Sequence, residues 1–300
     1  KNPVISTSTE ITIVGVDCAV RPENTGLTFA DYSPPHSSLF IWAAEPGRRA
    51  SGRVSSGRTY HGTGVAERIA ERLGGRRSEG VRADRSNLDG ETKRPLLLAL
   101  DAPLGWPEAM GAHLAGHNAG RPIDEEANVL FRRFTDRRTR ELIGKTPLDV
   151  GADRIARTAL AALRLIGELE VLLDLHIETA EEPDERKEAA SIEVYPAGTL
   201  LTGGLLDNIE GNRKTGENPG LLLPKLAERY SIELSSASGE NRYGRETTVE
   251  AAILKNEHVF DSLICACAAK DFLDGNAAAP QGEEERRLAR KEGWIWQRID

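Results

Sequence analysis

The chain has 300 residues, of which 39% are hydrophobic and 29% are charged, a composition typical of soluble globular proteins. No apolar run approaches the roughly 20 residues that a membrane-spanning helix requires, so we expect no membrane association. The net charge of −8 argues against a general nucleic-acid-binding protein, since such proteins are usually basic. This length allows one large α/β domain or two small ones.

Three short strands are predicted near the start of the chain, at residues 11–20, 25–33 and 38–44. The segments Asn24-Thr25-Gly26 and Ser33-Pro34-Pro35-His36 supply the turns between them. Connections this short favour an antiparallel meander. The Gly-, Ser- and Arg-rich composition of residues 43–64 predicts a loop after the third strand.

A short helix is predicted over residues 65–73, where apolar residues recur at helical spacing until Gly74-Gly75. The polar residues 76–94 are interpreted as a loop or insertion. Residues 95–102 form a continuous apolar run, which is typical of a strand covered on both faces. Because a helix precedes this strand, we expect it to join the sheet parallel to the first strand, through a right-handed crossover.

The region 107–190 is predicted to be mainly helical, with one long amphipathic helix over residues 152–175. A fifth strand is predicted at 191–196. Further helices are predicted near residues 220–230, 247–255 and 257–273, and the tail 293–297 is interpreted as an edge strand or packing anchor. The element order indicates an α/β fold with the first strand central, the second on one side and the fourth on the other.

The three cysteines do not form a disulfide framework. Cys265 and Cys267 are two residues apart on one predicted helix, so their side chains point in different directions. Cys18 follows the first strand. We expect three buried thiols in a reducing compartment, which favours a cytoplasmic protein.

Two aspartates follow apolar strands and a third interrupts an apolar helix: these are Asp17, Asp101 and Asp261. A carboxylate in such surroundings is costly unless something positive meets it. Three of them on three core elements predict a cation site. The alternatives are a turn or cap role for Asp17 and an Asx turn between Asp101 and Pro103.

If the first and fourth strands are parallel neighbours, Asp17 and Asp101 stand side by side, on backbones about 4.8 Å apart. They then lie at the carboxyl ends of the strands, where open α/β sheets bind ligands. Oxygen-rich clusters suit Mg²⁺ or Mn²⁺. Together with Asp261 the pair could hold two cations roughly 4 Å apart, which is the arrangement for in-line phosphodiester cleavage.

Two further residues are candidates for assisting the acids. His258 and Asp261 are three residues apart and share a helix face, so His258 could deliver or orient a proton. The alternative is an ordinary histidine at a helix start. Glu193 on the fifth strand is either a further ligand or a solvent-facing residue of an alternating strand.

Arginines are concentrated in two segments, residues 48–58 and residues 131–140. Each segment alone is best interpreted as a solvated face or loop. In the second segment, however, Arg132, Arg133 and Arg137, with Thr135 and Asp136, could meet substrate phosphates.

Other site patterns are weak or absent. His113 and His117 have a spacing found in zinc sites, but no third ligand is evident, so we do not interpret them as a metal site. No Gly-rich phosphate loop follows the first strand, and the serine-hydrolase motif Gly-x-Ser-x-Gly is absent.

Five segments in this order resemble domain-of-unknown-function family 429, predicted nucleases of the RNase H-like fold: Gly15–Ala19, Leu100–Gly105, Arg133–Asp136, Glu193–Ala197 and His258–Leu263. The resemblance spans roughly residues 11–297. It implies one domain with a five-stranded mixed sheet, in the order 3-2-1-4-5, flanked by helices. Residues 107–190 would be a helical insertion between strands 4 and 5. The resemblance also implies metal ligation by Asp17, Asp101 and Asp261.

The resulting hypothesis is a nuclease or phosphodiesterase dependent on Mg²⁺ or Mn²⁺, with a nucleic acid or nucleotide as substrate. RNase H also has an acid in the first helix, a role left here to Glu67 or Glu71, neither of which has a motif around it. The alternatives are a phosphotransferase or ATPase of the actin and sugar-kinase type, which needs two such sheets, and a non-catalytic RNase H-like binding module.

Overall fold

The computed structural model describes residues 9–34, 36–47, 64–81, 94–151, 153–183, 187–206, 218–236, 238–240 and 246–299. The strands are β1 (Ile11–Asp17), β2 (Gly26–Ser33), β3 (Ser38–Pro46), β4 (Leu96–Leu100), β5 (Glu178–Thr179), β6 (Ala189–Glu193), β7 (Ile232–Leu234), β8 (Ser238–Glu240) and β9 (Glu246–Thr248). The helices are α1 (Val65–Val81), α2 (Glu108–Leu114), α3 (Ala127–Phe131), α4 (Phe134–Ile143), α5 (Asp153–Leu173), α6 (Pro196–Thr202), α7 (Pro219–Tyr230), α8 (Val249–Lys255), α9 (Glu257–Leu273) and α10 (Gly282–Glu292). The arginine-rich segment 48–58 lies outside the described residues.

The strands form a mixed seven-stranded sheet in the order β5-β6-β4-β1-β2-β3-β7. The pairs β1–β2 and β2–β3 are antiparallel, as expected for a meander, and β1–β4 is parallel, as expected for a crossover. The predicted number of five strands is too low, because β5 and β7 extend the two edges. These strands have only two and three residues, too few for an alternating pattern to be visible. Strands β8 and β9 form a separate hairpin.

Helix α1 is longer than predicted, since it continues through Gly74-Gly75 to Val81. Two glycines cost a helix about 1 kcal/mol each, and neither is required here as a cap. The prediction of a loop over residues 76–94 is therefore wrong for residues 76–81, which belong to the helix. The long helix α5 is confirmed within one or two residues, and the insertion holds α2 to α5 together with β5.

The sheet is covered on both faces, as the apolar run of β4 predicts. On one face Ile13, Ala99 and Ile192 pack in a core with α6, α7, α8 and α9. On the other, Val16, Leu100 and Ala189 pack in a core with α1 and α5. The predicted packing anchor in the tail is confirmed, because Trp294 and Trp296 are buried in the first core. Among the described residues, no helix has the length and apolarity that crossing a bilayer demands.

Helix α9 lies directly on β1 and β2, at two positions where only glycine fits. A Cβ on Gly15 would lie 2.2 Å from the carbonyl oxygen of Ser262, and one on Gly26 would lie 1.8 Å from that of His258. The hydroxyls of Thr28 and Ser262 are hydrogen-bonded across the same interface at 2.8 Å. This close contact fixes the height and rotation of α9 over the sheet.

We expect Gly15→Ala to destabilise the protein by about 1–3 kcal/mol, because the added methyl group must push α9 away from β1. Denaturant unfolding measures this change. Gly74→Ala is the matched control: apart from the adjacent residues and backbone of its own helix, no atom of the described residues lies within 4 Å of its added Cβ, so it should be neutral or stabilising by up to about 1 kcal/mol. Equal stabilities of the two variants would contradict the close packing of α9.

A buried carboxylate joins α1 to the sheet. Glu45 on β3 is 4% exposed and accepts paired hydrogen bonds of 2.6–3.0 Å from Arg68 and Arg72. Burial raises the pKa of Glu45, but the two guanidinium groups outweigh it and hold the pKa below the ordinary 4.5. The stabilisation is therefore complete above pH 4.5 and is lost as the pH falls through the lowered value.

We expect Glu45→Gln to lower stability at pH 7 by about 2 kcal/mol, since hydrogen bonds to charged groups are lost. The difference from the wild type should shrink as the pH falls below 4.5, the ordinary value for this group. Glu71→Gln, which removes an exposed partner 3.5 Å from Arg68, should cost less than about 0.5 kcal/mol. A difference independent of pH would be evidence against the ionised Glu45 pair.

Candidate functional site

Asp17 and Asp101 lie side by side at the carboxyl ends of β1 and β4. Val16 is paired with Leu100 in the parallel ladder, and the amide of Asp101 continues it by donating to the carbonyl of Val16 at 2.9 Å. Strand alternation directs both carboxylates to the face covered by α9. Asp17 is 2% exposed and Asp101 is half-buried. The ends of β1 and β4 are therefore adjacent, as predicted.

Helix α9 brings His258 and Asp261 to the same place. His258 Nδ1 lies 2.7 Å from Asp17 Oδ2. Asp261, one turn further along, is 5% exposed. His258, Asp261, Ser262 and Cys265 follow the i, i+3, i+4, i+7 spacing of a single helix face. Asn256 caps the helix by accepting from the amides of residues 258 and 259, which sets the start of this face.

The electrostatics of Cys265 reflect the convergence of the three acids. Its Sγ lies 3.6 Å from the carbonyl oxygen of Val16. Burial raises the pKa of the Cys265 thiol well above its ordinary value, and the negative charges of Asp101, Asp17 and Asp261 raise it further. The thiol is therefore neutral, and it occupies the floor of an acidic site.

The donor chemistry of the three acids suits a hard divalent cation, because carboxylate oxygens are the ligands that Mg²⁺ and Mn²⁺ prefer. The side-chain positions are less favourable. Across the described parts of the chain, no group of three His, Cys, Asp or Glu residues is arranged to hold a metal ion. Asp17 is hydrogen-bonded to His258 instead. A cation would have to draw the three carboxylates closer together.

Glu193 lies at the same edge of the sheet but points away from the acids. It is paired with Leu100 of β4, so strand alternation directs it to the face opposite Ile192. Its carboxylate accepts two hydrogen bonds from the guanidinium of Arg133, at 2.6 and 2.7 Å. This geometry therefore disfavours a direct catalytic or metal-ligand role for Glu193 beside Asp17.

Arg133 is the centre of a buried ionic cluster, with an exposed fraction of only 1%. Besides Glu193 it binds Asp136 through Nε and Nη2, at 3.1 and 2.7 Å. Burial lowers the pKa of Arg133, but Glu193 and Asp136 raise it above the ordinary value. Burial also raises the pKa of Glu193, and Arg133 offsets this only in part. Neither Arg133 nor Asp136 presents surface to a substrate phosphate in this arrangement.

The other residues predicted to bind substrate also have internal partners. Thr135 is 2% exposed, and its Oγ1 accepts from the amide of Ile295 at 2.9 Å. Arg132 donates to Asp149 at 2.8 Å, and Arg137 donates to the carbonyl of Arg132 at 2.8 Å. Arg132 and Arg137 are half-buried, so of the five residues these two retain surface that a substrate could reach.

The sequence interpretation missed Glu292. This residue is 5% exposed at the end of α10. Its Oε1 accepts from the amide of Glu108 at 2.8 Å, and its Oε2 accepts from the amide of Phe134 at 2.6 Å. Its position within the charged run 282–292 is typical of a solvated helix, so no sequence signal indicates burial.

We expect thiol labelling with a chromogenic disulfide reagent to detect one fast-reacting cysteine in the native protein and three after unfolding. Cys18 is half-buried, whereas Cys265 and Cys267 are fully buried and burial raises the pKa of each thiol. Mass spectrometry of the labelled peptides identifies the site. Rapid native labelling of Cys265 would contradict its position beneath the acids.

Comparison with known proteins identifies a family but assigns no activity to it. The model of a family described as a protein of unknown function, DUF429, matches residues 35–286. The matched residues include Asp101 and Asp261, and Asp17 precedes them. No curated protein and no solved structure matches the chain. The match covers most of the 300 residues, and the chain belongs to the DUF429 family.

Proposed function

We propose that the chain hydrolyses phosphodiester bonds with the help of a divalent cation, as a nuclease or a nucleotide phosphodiesterase. The observation that carries this proposal is the convergence of Asp17, Asp101 and Asp261 on one face of the sheet. They come from three separate elements, β1, β4 and α9, and are brought together by strand pairing and by the close packing of α9. Three carboxylates that converge on one face of a sheet are costly unless a cation compensates their charge.

In this proposal Asp17, Asp101 and Asp261 would hold Mg²⁺ or Mn²⁺. The bound cation supplies a Lewis acid that stabilises charge on the phosphoryl group and lowers the pKa of an attacking water. The order β3-β2-β1-β4-β6 at the centre of the sheet is the order expected of an RNase H-like fold, and it supports the proposal. Of the two candidate acids on α1, Glu71 is exposed and paired with Arg68, whereas Oε2 of Glu67 is buried without a hydrogen-bond partner among the described residues, so Glu67 is the better supported of the two.

His258 is the proposed proton carrier. Its side chain is 30% exposed, whereas its partner Asp17 is 2% exposed. Where Asp17 accepts their 2.7 Å hydrogen bond, Nδ1 bears the hydrogen, and Nε2, which lies 4.0 Å from the exposed carboxylate of Glu257, is the nitrogen proposed to exchange a proton. Asp17 therefore fixes the orientation and tautomer of the imidazole. This pairing is the arrangement that general acid–base catalysis requires.

The substrate is proposed to be a small nucleotide or a single strand rather than a long duplex. The net charge of −8 disfavours extensive electrostatic attraction to a polyanion. Arg132 and Arg137 on the insertion are the described candidates for phosphate contacts from the predicted set.

A second candidate function is hydrolysis by the Asp17–His258 pair without a cation. The observation that favours it is their direct hydrogen bond, together with the lack of a ready three-ligand metal group in the described residues. Dependence on a cation separates the two candidates.

We expect wild-type protein to cleave at least one of a panel of DNA, RNA, branched and dinucleotide substrates in Mn²⁺, and to lose this activity in EDTA. Asp17→Asn should lower the rate by about 100-fold or more, because a cation ligand and the orientation of His258 are both lost. Asp31→Asn is the matched control. Asp31 is a buried aspartate at the opposite end of the β1–β2 pair, bonded to Trp42 and Arg94, and its variant should retain the wild-type rate per folded molecule.

The possible outcomes separate the hypotheses. Equal activity in EDTA favours the cation-free candidate. Equal activity of wild type and Asp17→Asn contradicts both. ATP hydrolysis without cleavage would point to a phosphotransferase, and inactivity on every substrate would point to a binding module.

A further inference from the structure

Residues 101–107, here named the Asp101 loop, connect β4 to α2 and carry one of the three acids. The loop is held by groups that lie outside the sheet face used by those acids. Glu193 Oε2 accepts a hydrogen bond of 3.0 Å from the amide of Leu104. The same oxygen accepts from Arg133 Nη1 at 2.7 Å. The backbone of the loop is thereby tied to the buried ionic cluster.

The far end of the loop is held by Glu292. Its carboxylate accepts from the amides of Glu108 and Phe134, which begin α2 and α4. Its carbonyl oxygen accepts from Arg133 Nη1 at 3.1 Å. One residue at the end of α10 therefore joins the end of the loop to the insertion.

The backbones in this region are in contact, with no space for a side chain. A Cβ on Gly105 would lie 2.7 Å from the carbonyl carbon of Glu292. A Cβ on Gly293 would lie 2.8 Å from Glu193 Oε2, and Gly293 has a φ of +87°. The loop, β6 and the segment after α10 therefore pack as one unit, with Arg133 between them.

The acids give a physical reason for such a restraint. Asp17 and Asp101 occupy neighbouring positions at two strand ends, and like charges at this spacing repel. Asp17 is fixed by its strand and by His258. The amide of Asp101 is bonded to Val16, but the chain leaves the sheet after this residue, so the contacts of the loop that follows also set where its carboxylate lies.

We infer that Arg133, Glu193 and Glu292 are positioning residues, which hold the Asp101 loop so that Asp101 stays beside Asp17. None of the three has to touch the substrate. This explains why an arginine and an acid that resemble site residues in the sequence are buried against each other, at 1% and 2% exposure. The consequence for activity rests on the proposed function, whereas the restraint of the loop does not.

The test compares Glu193→Gln with a matched control, Asp271→Asn. A glutamine at 193 cannot accept from Leu104 and from both guanidinium nitrogens at once. Asp271 is also 2% exposed and paired with an arginine, Arg298, and with Tyr230 at 3.0 Å. It lies about 15 Å along α9 from Asp261 and does not belong to the ionic cluster around Arg133.

The first measurement is hydrogen exchange of the peptide covering residues 101–108, which needs no activity. We expect Glu193→Gln to exchange about tenfold faster there, because one restraining hydrogen bond is lost. Asp271→Asn should exchange like the wild type in this peptide. Gly105→Ala, which forces the loop away from Glu292 without a change of charge, should reproduce the faster exchange.

The second measurement is the Mn²⁺ concentration that gives half-maximal cleavage. A merely structural role lowers the amount of folded enzyme and leaves this concentration unchanged, whereas a displaced Asp101 should raise it about tenfold in Glu193→Gln. Unchanged exchange in both Glu193→Gln and Gly105→Ala overturns the inference. Faster exchange with a wild-type Mn²⁺ requirement overturns the positioning of Asp101. Faster exchange in a protein whose wild type is inactive supports the restraint of the loop and rejects the proposed function instead.

Discussion

Helix α9 rests on β1 and β2 with its backbone in contact with theirs, because Gly15 and Gly26 leave no side chain between them. A helix held at this distance presents consecutive turns of one face to the sheet. The face carries His258 and Asp261 over the strand end where Asp17 lies. With a larger residue at either glycine, α9 would lie further from the sheet and the acids would be separated. The candidate site is thus a consequence of backbone packing as much as of the charged residues themselves.

The two sides of the sheet edge have different roles in this account. On the α9 face, three acids lie around a buried neutral thiol, Asp17 is hydrogen-bonded to His258, and in our proposal a cation compensates the charge of the acids. On the opposite face, the carboxylates of Glu193 and Asp136 share the single guanidinium of Arg133, which donates hydrogen bonds to both. A buried ion pair of this kind is weak support for stability but holds its neighbours in a defined arrangement. The helical insertion supplies Arg133, which gives it a structural role at the site.

The central elements could be predicted from the sequence because their signals are local. The apolar runs before Asp17 and Asp101 predict the two strands, and the helix between these strands predicts their parallel pairing. The apolar stretch around Asp261 predicts α9. Helix α1 continues past the end predicted at Gly74-Gly75, because two glycines cost a helix only about 1 kcal/mol each. The alternation of residues 191–196 leaves open whether Glu193 faces solvent, but every residue of β6 is buried, and alternation does not say which face holds an arginine. The burial of Glu292 depends on contacts with amides about 160 and 180 residues away in sequence, and no local pattern records such contacts.

We propose that Asp17, Asp101 and Asp261 form one cation site. Crystals of the wild-type protein grown with Mn²⁺ test it most directly, by anomalous diffraction at the manganese edge. The account predicts a peak bonded to carboxylate oxygens of all three aspartates, and its loss in Asp261→Asn. A well-ordered structure in Mn²⁺ with no peak at these carboxylates, and with His258 still bonded to Asp17, would contradict it.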